Sequence, residues 1–137
     1  MTPTELFHRA HERVREYDIR FADFFADDGV LELPFAPAPM PRRIVGRDAI
    51  RALLQPRYDA ARAAGRRIID YRYLVIHETR DPEVIVAEFA VGGIPRGEGQ
   101  EPYVLPFIQV YRIANDRILV QRDYFDSLVM AERLRVS

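Results

Sequence analysis

The sequence predicts an α+β fold, in which helices come early in the chain and a run of antiparallel strands comes late. Apolar residues recur at helical spacing near the N-terminus, whereas β-rich runs separated by turns dominate the second half. The predicted element order α-α-β-α-β-β-β-β-α separates the two kinds of structure, as α+β domains do. A long curved, mainly antiparallel sheet wrapped over the N-terminal helices leaves a hollow between them, and this hollow is the candidate binding site.

Composition limits the classes of protein to which the chain can belong. At 137 residues and 48% apolar content, residues 1–137 are expected to form one domain with a sizeable core. The 20 basic residues are scattered and are balanced by 21 acidic ones, so no nucleic-acid partner is expected. The absence of cysteine excludes disulfides and zinc-thiolate sites. The charged, amphipathic N-terminus is unlike a signal peptide, and no apolar run reaches membrane-spanning length, so we expect a cytoplasmic protein without a membrane partner.

The N-terminal residues carry the signals of two helices. Thr2 can cap a first helix, with Pro3 at its first position and Glu5 three residues after the cap. Asp18 can cap a second, short helix, which the turn-forming segment Asp27-Asp28-Gly29 would end.

Two histidines, His8 and His11, lie three residues apart on the first helix. This spacing can bind a metal ion, but no third ligand is apparent, so both side chains are expected in solvent. No metal or other cofactor is therefore expected, and His77, at the end of a predicted strand, is expected to be exposed.

The middle of the chain alternates between strand, loop and helix. Val30–Phe35 reads as a strand, and the three prolines of Ala36–Arg43 predict an ordered but non-regular loop at the mouth of the pocket. Gly46 precedes a helix that Gly65 would close, and Pro56 is expected to kink or restart that helix.

Four further strands are predicted in the second half. Ile68–Thr79 and Val84–Val91 flank a turn, and a Gly/Pro-rich loop follows over Gly92–Pro102. Tyr103–Ile113 and Ile118–Phe125 then form a long hairpin around a short polar turn. The chain is expected to end in a helix over residues 128–134.

The two faces of the hairpin are expected to have different roles, one towards the hollow and one towards a second copy of the chain. The residues of its first strand that alternate onto one face are Tyr103, Leu105, Phe107, Gln109 and Tyr111. Val104, Ile108 and Val110 lie on the opposite face, which is too apolar to remain in water, so we expect a homodimer through the outer face of the sheet. Ser127, after the hairpin, can cap the last helix.

Asp123 is the candidate catalytic residue. A carboxylate inside an aromatic-rich sheet is costly unless it is paired or protonated. Asp123 can be a general acid or base whose pKa is raised by burial, or it can form an end-of-strand ion pair with Arg122 or Arg112. Gln109 can orient Asp123 or a ligand carbonyl if the turn length places both on one face.

Other residues are expected to line the hollow and contact a small hydrophobic ligand. Tyr17 and Tyr111 can supply phenol donors, and Glu88 alternates with apolar neighbours and can face inward. The remaining candidates are apolar or aromatic residues of the strands and of the last hairpin: Leu33, Phe35, Phe107 and Phe125.

Four short motifs, in this order and spacing, give the chain a family resemblance. They are Phe24-Phe25-Ala26-Asp27-Asp28-Gly29-Val30, Gly46-Arg47-Asp48-Ala49-Ile50, Glu78-Thr79-Arg80-Asp81-Pro82, and Asn115-Asp116-Arg117-Ile118 with the following Arg122-Asp123-Tyr124-Phe125-Asp126. With them, the chain resembles the SnoaL-like branch of the nuclear transport factor 2-like superfamily. The resemblance implies a cone-shaped α+β barrel, a fold that serves many chemistries.

The resemblance also places individual residues. Asp123 matches a catalytic acid of the phenazine-biosynthesis A/B proteins and a catalytic aspartate of the limonene epoxide hydrolases. The chain has Glu88 and Ala90 where the hydrolases carry a further Arg and Asp, and Leu33 where ketosteroid isomerases carry their base. Gln109 falls near the acidic oxyanion donor of those isomerases.

Two functions from different classes follow. The first is a cofactor-free isomerase, cyclase, dehydratase or related lyase that acts on a small hydrophobic molecule through Asp123. The second is a module of the same fold that binds an apolar metabolite or another protein without chemistry.

Overall fold

A curled sheet of six strands forms the frame of the molecule. The computed structural model describes residues 1–67 and 69–136. The strand order is β2-β1-β6-β5-β4-β3, with β1 and β6 parallel and all other neighbours antiparallel. Within the described residues, the edge strands β2 and β3 do not pair with each other. The predicted α+β fold and its curved, mainly antiparallel sheet are confirmed, and the cone is open rather than a closed barrel.

Helix α1, Pro3–Arg15, covers the concave face of the sheet. Its start is the predicted one, because the Thr2 side chain accepts a hydrogen bond from the Glu5 backbone N–H at 3.1 Å. Leu6, Phe7 and Ala10 are almost fully buried against the strands.

The second short helix is confirmed as a 3-10 helix over Ile19–Phe24, with Asp18 accepting from the Arg20 N–H. It ends earlier than predicted, because Asp27-Asp28-Gly29 belongs to strand β1, Phe25–Glu32. The pairing of β1 with β6 shifts register between Phe25 and Val30, and this irregular stretch accommodates the turn-forming residues inside a strand.

Strand β2, Arg43–Val45, is absent from the sequence prediction and pairs with β1 at the sheet edge. Helix α2, Arg47–Ala63, follows Gly46, whose φ of +97° favours glycine. The helix continues through Pro56 instead of restarting there. Gly65 closes it as predicted, with a φ of +81°.

The four later strands occur in the predicted order. Strands β3, Asp70–Glu78, and β4, Val84–Ile94, form one antiparallel pair. The predicted start of β3 at Ile68 lies outside the described residues, and β4 extends into the segment predicted as loop. Strands β5, Tyr103–Ala114, and β6, Arg117–Phe125, form the long hairpin.

The hairpin turn has two central residues, Asn115 and Asp116, both in the left-handed region at φ of +53° and +56°. Such turns match the twist of antiparallel strands, and Asn and Asp tolerate the conformation better than other non-glycine residues. Helix α3, Ser127–Val136, follows the hairpin. Its cap is Asp126, whose Oδ1 accepts from the N–H groups of Leu128 and Val129, and not Ser127 as predicted.

The two faces of the hairpin differ in burial. Tyr103, Leu105 and Tyr111 are buried on the concave side. On the convex side, Val104 and Ile108 remain 50% and 45% exposed, which leaves apolar surface in solvent. In the described parts of the chain, no helix combines the length and the apolar character that crossing a membrane requires.

Gly29 is a position where the fold requires the smallest residue. A Cβ there would lie 2.9 Å from the backbone oxygen of Ile118 and 3.0 Å from that of Ala26. We expect Gly29→Ala to lower the free energy of unfolding by about 1–3 kcal/mol, because backbone atoms of two strands cannot move aside cheaply. Urea denaturation measures this change.

Gly97→Ala is the matched control, since a Cβ there meets only the flexible Gln100 side chain at 3.4 Å. Equal stability of the two variants would contradict the proposed close approach of β1 and β6.

Candidate functional site

A cavity of about 550 Å³ lies between the concave face of the sheet and the helices. This size is typical of sites for small organic molecules. One wall is a row of aromatic rings across four neighbouring strands, with successive centroids 4.7, 5.6 and 6.2 Å apart: Tyr71, Phe89, Phe107 and Phe125. The wall is therefore largely apolar and rigid.

Asp123 projects from β6 into this cavity. It stands directly opposite Gln109 of β5 in the hairpin register, and Gln109 Nε2 donates to Asp123 Oδ1 at 3.1 Å. The two residues therefore lie on the same face of the hairpin, a point that the sequence alone did not decide. The predicted alternative, a surface ion pair of Asp123 with Arg122 or Arg112, does not form: Arg122 lies by Glu32, and Arg112 binds Asp81 and Glu83.

Burial raises the pKa of the Asp123 carboxyl from 3.8 to about 7, and the hydrogen bond from Gln109 opposes this rise only partly. The carboxyl lies inside the protein, and the half-buried Asp123 side chain lines the cavity. Both protonation states are therefore populated near neutral pH, which is the property that a general acid or base requires.

A chain of hydrogen bonds runs from Gln109 away from the cavity. Tyr111 Oη donates to Gln109 Oε1 at 2.6 Å, and His11 Nε2 lies 2.7 Å from Tyr111 Oη. His11 Nδ1 lies 2.6 Å from the Tyr71 hydroxyl. The chain thus links helix α1 to strands β3, β5 and β6.

The donors in this chain all point the same way. Tyr111 has a single hydroxyl proton, and that proton goes to Gln109, so His11 Nε2–H must donate to Tyr111. His11 Nδ1 then accepts from the Tyr71 hydroxyl. Every donor is directed towards Asp123, the final acceptor, and this direction suits its carboxylate form.

His11 is neutral in this arrangement. Its side chain is 3% exposed and stacks on Phe7 at 4.0 Å between centroids. Burial lowers its pKa to about 3, with smaller contributions from Arg15 and His8. The prediction that His11 lies in solvent is therefore wrong, because its position on α1 belongs to the apolar stripe of that helix. The expected exposure of His77 is confirmed.

Two further polar groups face the cavity and were missed from the sequence. The Tyr58 hydroxyl has no hydrogen-bond partner within the described residues, and burial raises its pKa. Gln121, on the same strand as Asp123 and 5% exposed, has an unpaired buried Oε1. A ligand in the cavity could satisfy both groups.

Most of the residues predicted to contact a ligand do line this cavity. They are Tyr17, Leu33, Phe107, Gln109, Asp123 and Phe125. Tyr111 is fully buried behind Gln109 and acts on the cavity only through that residue.

Two predicted positions are corrected by the structure. Glu88 lies on the convex face, where its side chain is 52% exposed and binds His77 at 2.6 Å. Phe35 lies beyond the end of β1, is 54% exposed, and packs against Tyr124 outside the cavity. For Glu88, the sequence predicted the strand but assigned its two faces the wrong way round. For Phe35, the sequence placed the end of the strand too late.

In the described part of the chain, no three His, Cys, Asp or Glu side chains are grouped closely enough to hold a metal ion.

Comparison with known proteins supports the same family as the sequence motifs. An uncharacterised PhzA/B-like protein of Pseudomonas aeruginosa is 29% identical over 116 residues, covering 83% of this chain and 76% of the relative. A Bacillus subtilis protein described as a candidate isomerase superposes with a TM-score of 0.74 at 26% identity, over 100% of this chain and 98% of that one. A candidate polyketide cyclase of Xanthomonas campestris pv. campestris gives a TM-score of 0.69 at 23% identity, over 95% of each chain, and shares the fold.

The profile of the SnoaL-like domain matches residues 7–121, which hold most of α1, all of α2 and most of the sheet. The match ends just before Asp123, so it supports the family independently of the candidate catalytic residue. The chain therefore belongs to the SnoaL-like domain family, as its motifs predict.

Proposed function

We propose that this chain is a cofactor-independent isomerase, cyclase or dehydratase that moves a proton on a small hydrophobic molecule. One observation carries the proposal: among the described residues that line the apolar cavity, Asp123 is the one carboxyl, and its pKa is raised to about 7. The B. subtilis neighbour, described as a candidate isomerase, supports the same class of chemistry.

The proposed reaction begins with the Asp123 carboxylate. It takes a proton from a carbon beside a carbonyl, and the electron pair of the C–H bond moves onto the carbonyl oxygen to give an enolate. The free Tyr58 hydroxyl can donate to that oxygen. The neutral Asp123 then returns the proton to another carbon, which completes an isomerisation, or to a departing hydroxyl, which leaves as water.

Gln109 holds the carboxyl for this step. Its amide is fixed by Tyr111, and Tyr111 is fixed by His11, so the orientation of Asp123 depends on a helix that does not touch the reacting atoms. We propose His11 as a positioning residue.

A non-catalytic binding module remains the second candidate. If the chain is an enzyme, Asp123 has to serve as both base and acid, because both ring nitrogens of His11 are engaged in the hydrogen-bond chain. This double demand on one residue favours the binding module. A module of this kind would bind a ligand without any turnover that depends on Asp123.

We also propose that two copies associate through the convex face of the sheet. Val104, Ile108 and, on β3, Val75 leave a strip of half-exposed apolar side chains there. A second copy, related by a two-fold axis, would cover this strip with its own.

The proposed base can be tested without knowing the natural substrate. The probe 5-nitrobenzisoxazole loses its ring C–H proton to a base while its N–O bond breaks, giving a coloured cyanophenolate. We expect Asp123→Asn to lower the rate at least ~100-fold, because the amide cannot accept the proton. The wild-type rate should rise with pH through about 7 and then level off, since only the carboxylate acts as base.

Asp28→Asn is the control, because Asp28 is exposed on β1 and does not line the cavity. Equal rates in the wild type and Asp123→Asn would reject the enzyme proposal and favour the binding module.

His11→Phe tests the positioning role. Phenylalanine keeps the stacking on Phe7 but removes the acceptor of the Tyr71 hydroxyl and the donor to the Tyr111 hydroxyl, which keeps only its bond to Gln109. The free energy of unfolding should therefore fall by about 1–3 kcal/mol. The benzisoxazole rate per folded molecule should also fall. His8→Phe, at an exposed position on the same helix, should change neither quantity. A folded His11→Phe protein with the wild-type rate would contradict the role.

The dimer is tested by light scattering at micromolar concentration. We expect twice the chain mass of 15.9 kDa for the wild type and a shift towards the chain mass for Ile108→Lys, which places a charge in the apolar strip. Glu78→Gln makes the same change in net charge on the exposed end of β3 and serves as control. A wild-type protein at the chain mass would disprove the association.

A further inference from the structure

Four arginines line the cavity, against the single carboxyl of Asp123 among the described lining residues. They come from four places in the chain: Arg57 from α2, Arg66 from the segment after it, Arg96 from the segment after β4, and Arg133 from α3. The whole chain has a net charge of −1, so the positive lining does not reflect a generally basic protein.

Arg96 already has an anionic partner. Its Nε lies 3.4 Å from Glu132 Oε1, and its guanidinium lies 5.0 Å from the centroid of the Tyr103 ring. Arg57 and Arg133 form no hydrogen bond or ion pair with any other described residue, although Arg133 is half-buried. Their positive charges are thus left for another partner.

Arg66 is held in place but not neutralised. Its Nη2 donates to the Tyr17 hydroxyl at 2.7 Å, and its guanidinium lies 5.2 Å from the centroid of the same ring. These contacts fix the orientation of the guanidinium and leave its other N–H groups available.

The three arginines that have no carboxylate partner among residues 1–67 and 69–136 are close enough to repel one another. The pKa of Arg133 is lowered first by burial and then by the charges of Arg66 and Arg57. Holding a half-buried cation beside two others is unfavourable unless an anion enters the group. The cluster therefore has the electrostatic character of an anion-binding site.

This cluster is separate from the proposed base. Burial and the Gln109 hydrogen bond account for the pKa of Asp123, and no arginine is among the groups that shift it. A nearby arginine would lower that pKa strongly. Of the three, Arg57 is exposed and Arg66 and Arg133 are half-buried, whereas burial dominates the surroundings of the Asp123 carboxyl.

We infer that the ligand of this cavity is an amphipathic organic anion, whose acidic group is bound by Arg57, Arg66 and Arg133 and whose apolar body extends towards Asp123. Guanidinium groups suit carboxylate, sulfonate and phosphate oxygens alike, because each offers several acceptors to a fork of N–H donors. The inference deepens the proposed function by giving the class of its substrate. Only the part of the inference that places the reacting atoms of the ligand near Asp123 rests on that function, because binding of the acidic group requires no turnover.

Two fluorescent probes of the same skeleton separate the acidic group from the apolar body. N-phenyl-1-naphthylamine is neutral, and 1-anilinonaphthalene-8-sulfonate adds one sulfonate to it. We expect the sulfonate probe to bind at least ~10-fold more tightly, and Arg133→Gln to remove most of this preference while the affinity of the neutral probe is unchanged. Added salt should weaken only the sulfonate probe.

Arg135→Gln is the matched control, since Arg135 lies on the exposed side of the same helix and makes the same change in net charge. Arg57→Gln, at an exposed position, provides a second variant that should fold normally. Equal affinity of the wild type for the two probes, or an equal effect of Arg135→Gln and Arg133→Gln, would overturn the inference.

Competition against the neutral probe identifies the acid. If 2-naphthoate or 2-naphthyl phosphate displaces the probe at a lower concentration than neutral 2-naphthamide does, the anion site is supported. The more effective of the two acids then shows whether the site prefers a carboxylate or a phosphate. Equal displacement by all three compounds contradicts the site. If the sulfonate preference persists but no proton transfer depends on Asp123, the proposed enzyme fails and the anion site stands.

Discussion

The register of the β5–β6 hairpin is the constraint on which the candidate site depends. A two-residue turn at Asn115 and Asp116 sets that register and places Gln109 directly opposite Asp123. A slip of one residue would turn Asp123 to the convex face, where it would be an ordinary surface carboxylate. Backbone geometry at a solvent-exposed turn therefore determines which side chains of the hairpin face the cavity.

The site combines an apolar wall with a polar network that is satisfied everywhere except towards the ligand. His11, Tyr71 and Tyr111 use their polar atoms on one another and on Gln109, so these buried groups carry little desolvation penalty. Asp123, at the end of the network, keeps a carboxyl oxygen for the cavity. Such a site sacrifices some stability for a carboxyl that can change protonation state near neutral pH.

Sequence reasoning located the fold and Asp123, because strong alternation and the hairpin signals lie in one continuous stretch. It missed strand β2 and the early part of β1, where Asp27-Asp28-Gly29 has the composition of a turn and is held in a strand by pairing with β6. His11 carried a usable signal, since it follows Phe7 by one helical turn. The arginine cluster carried none: its members are distant in sequence, and only the tertiary fold brings them together.

The amide of Gln109 has a consequence for where protons can travel. Histidine and tyrosine can pass a proton from one atom to another, but an amide can do so only through its unstable imidic acid form. The network behind Asp123 therefore transmits polarisation and orientation but does not conduct protons. A proton taken up by Asp123 cannot pass along this network, so it returns to the molecule from which it came or leaves on the cavity side. Such insulation favours moving one hydrogen within a molecule over exchanging it with water.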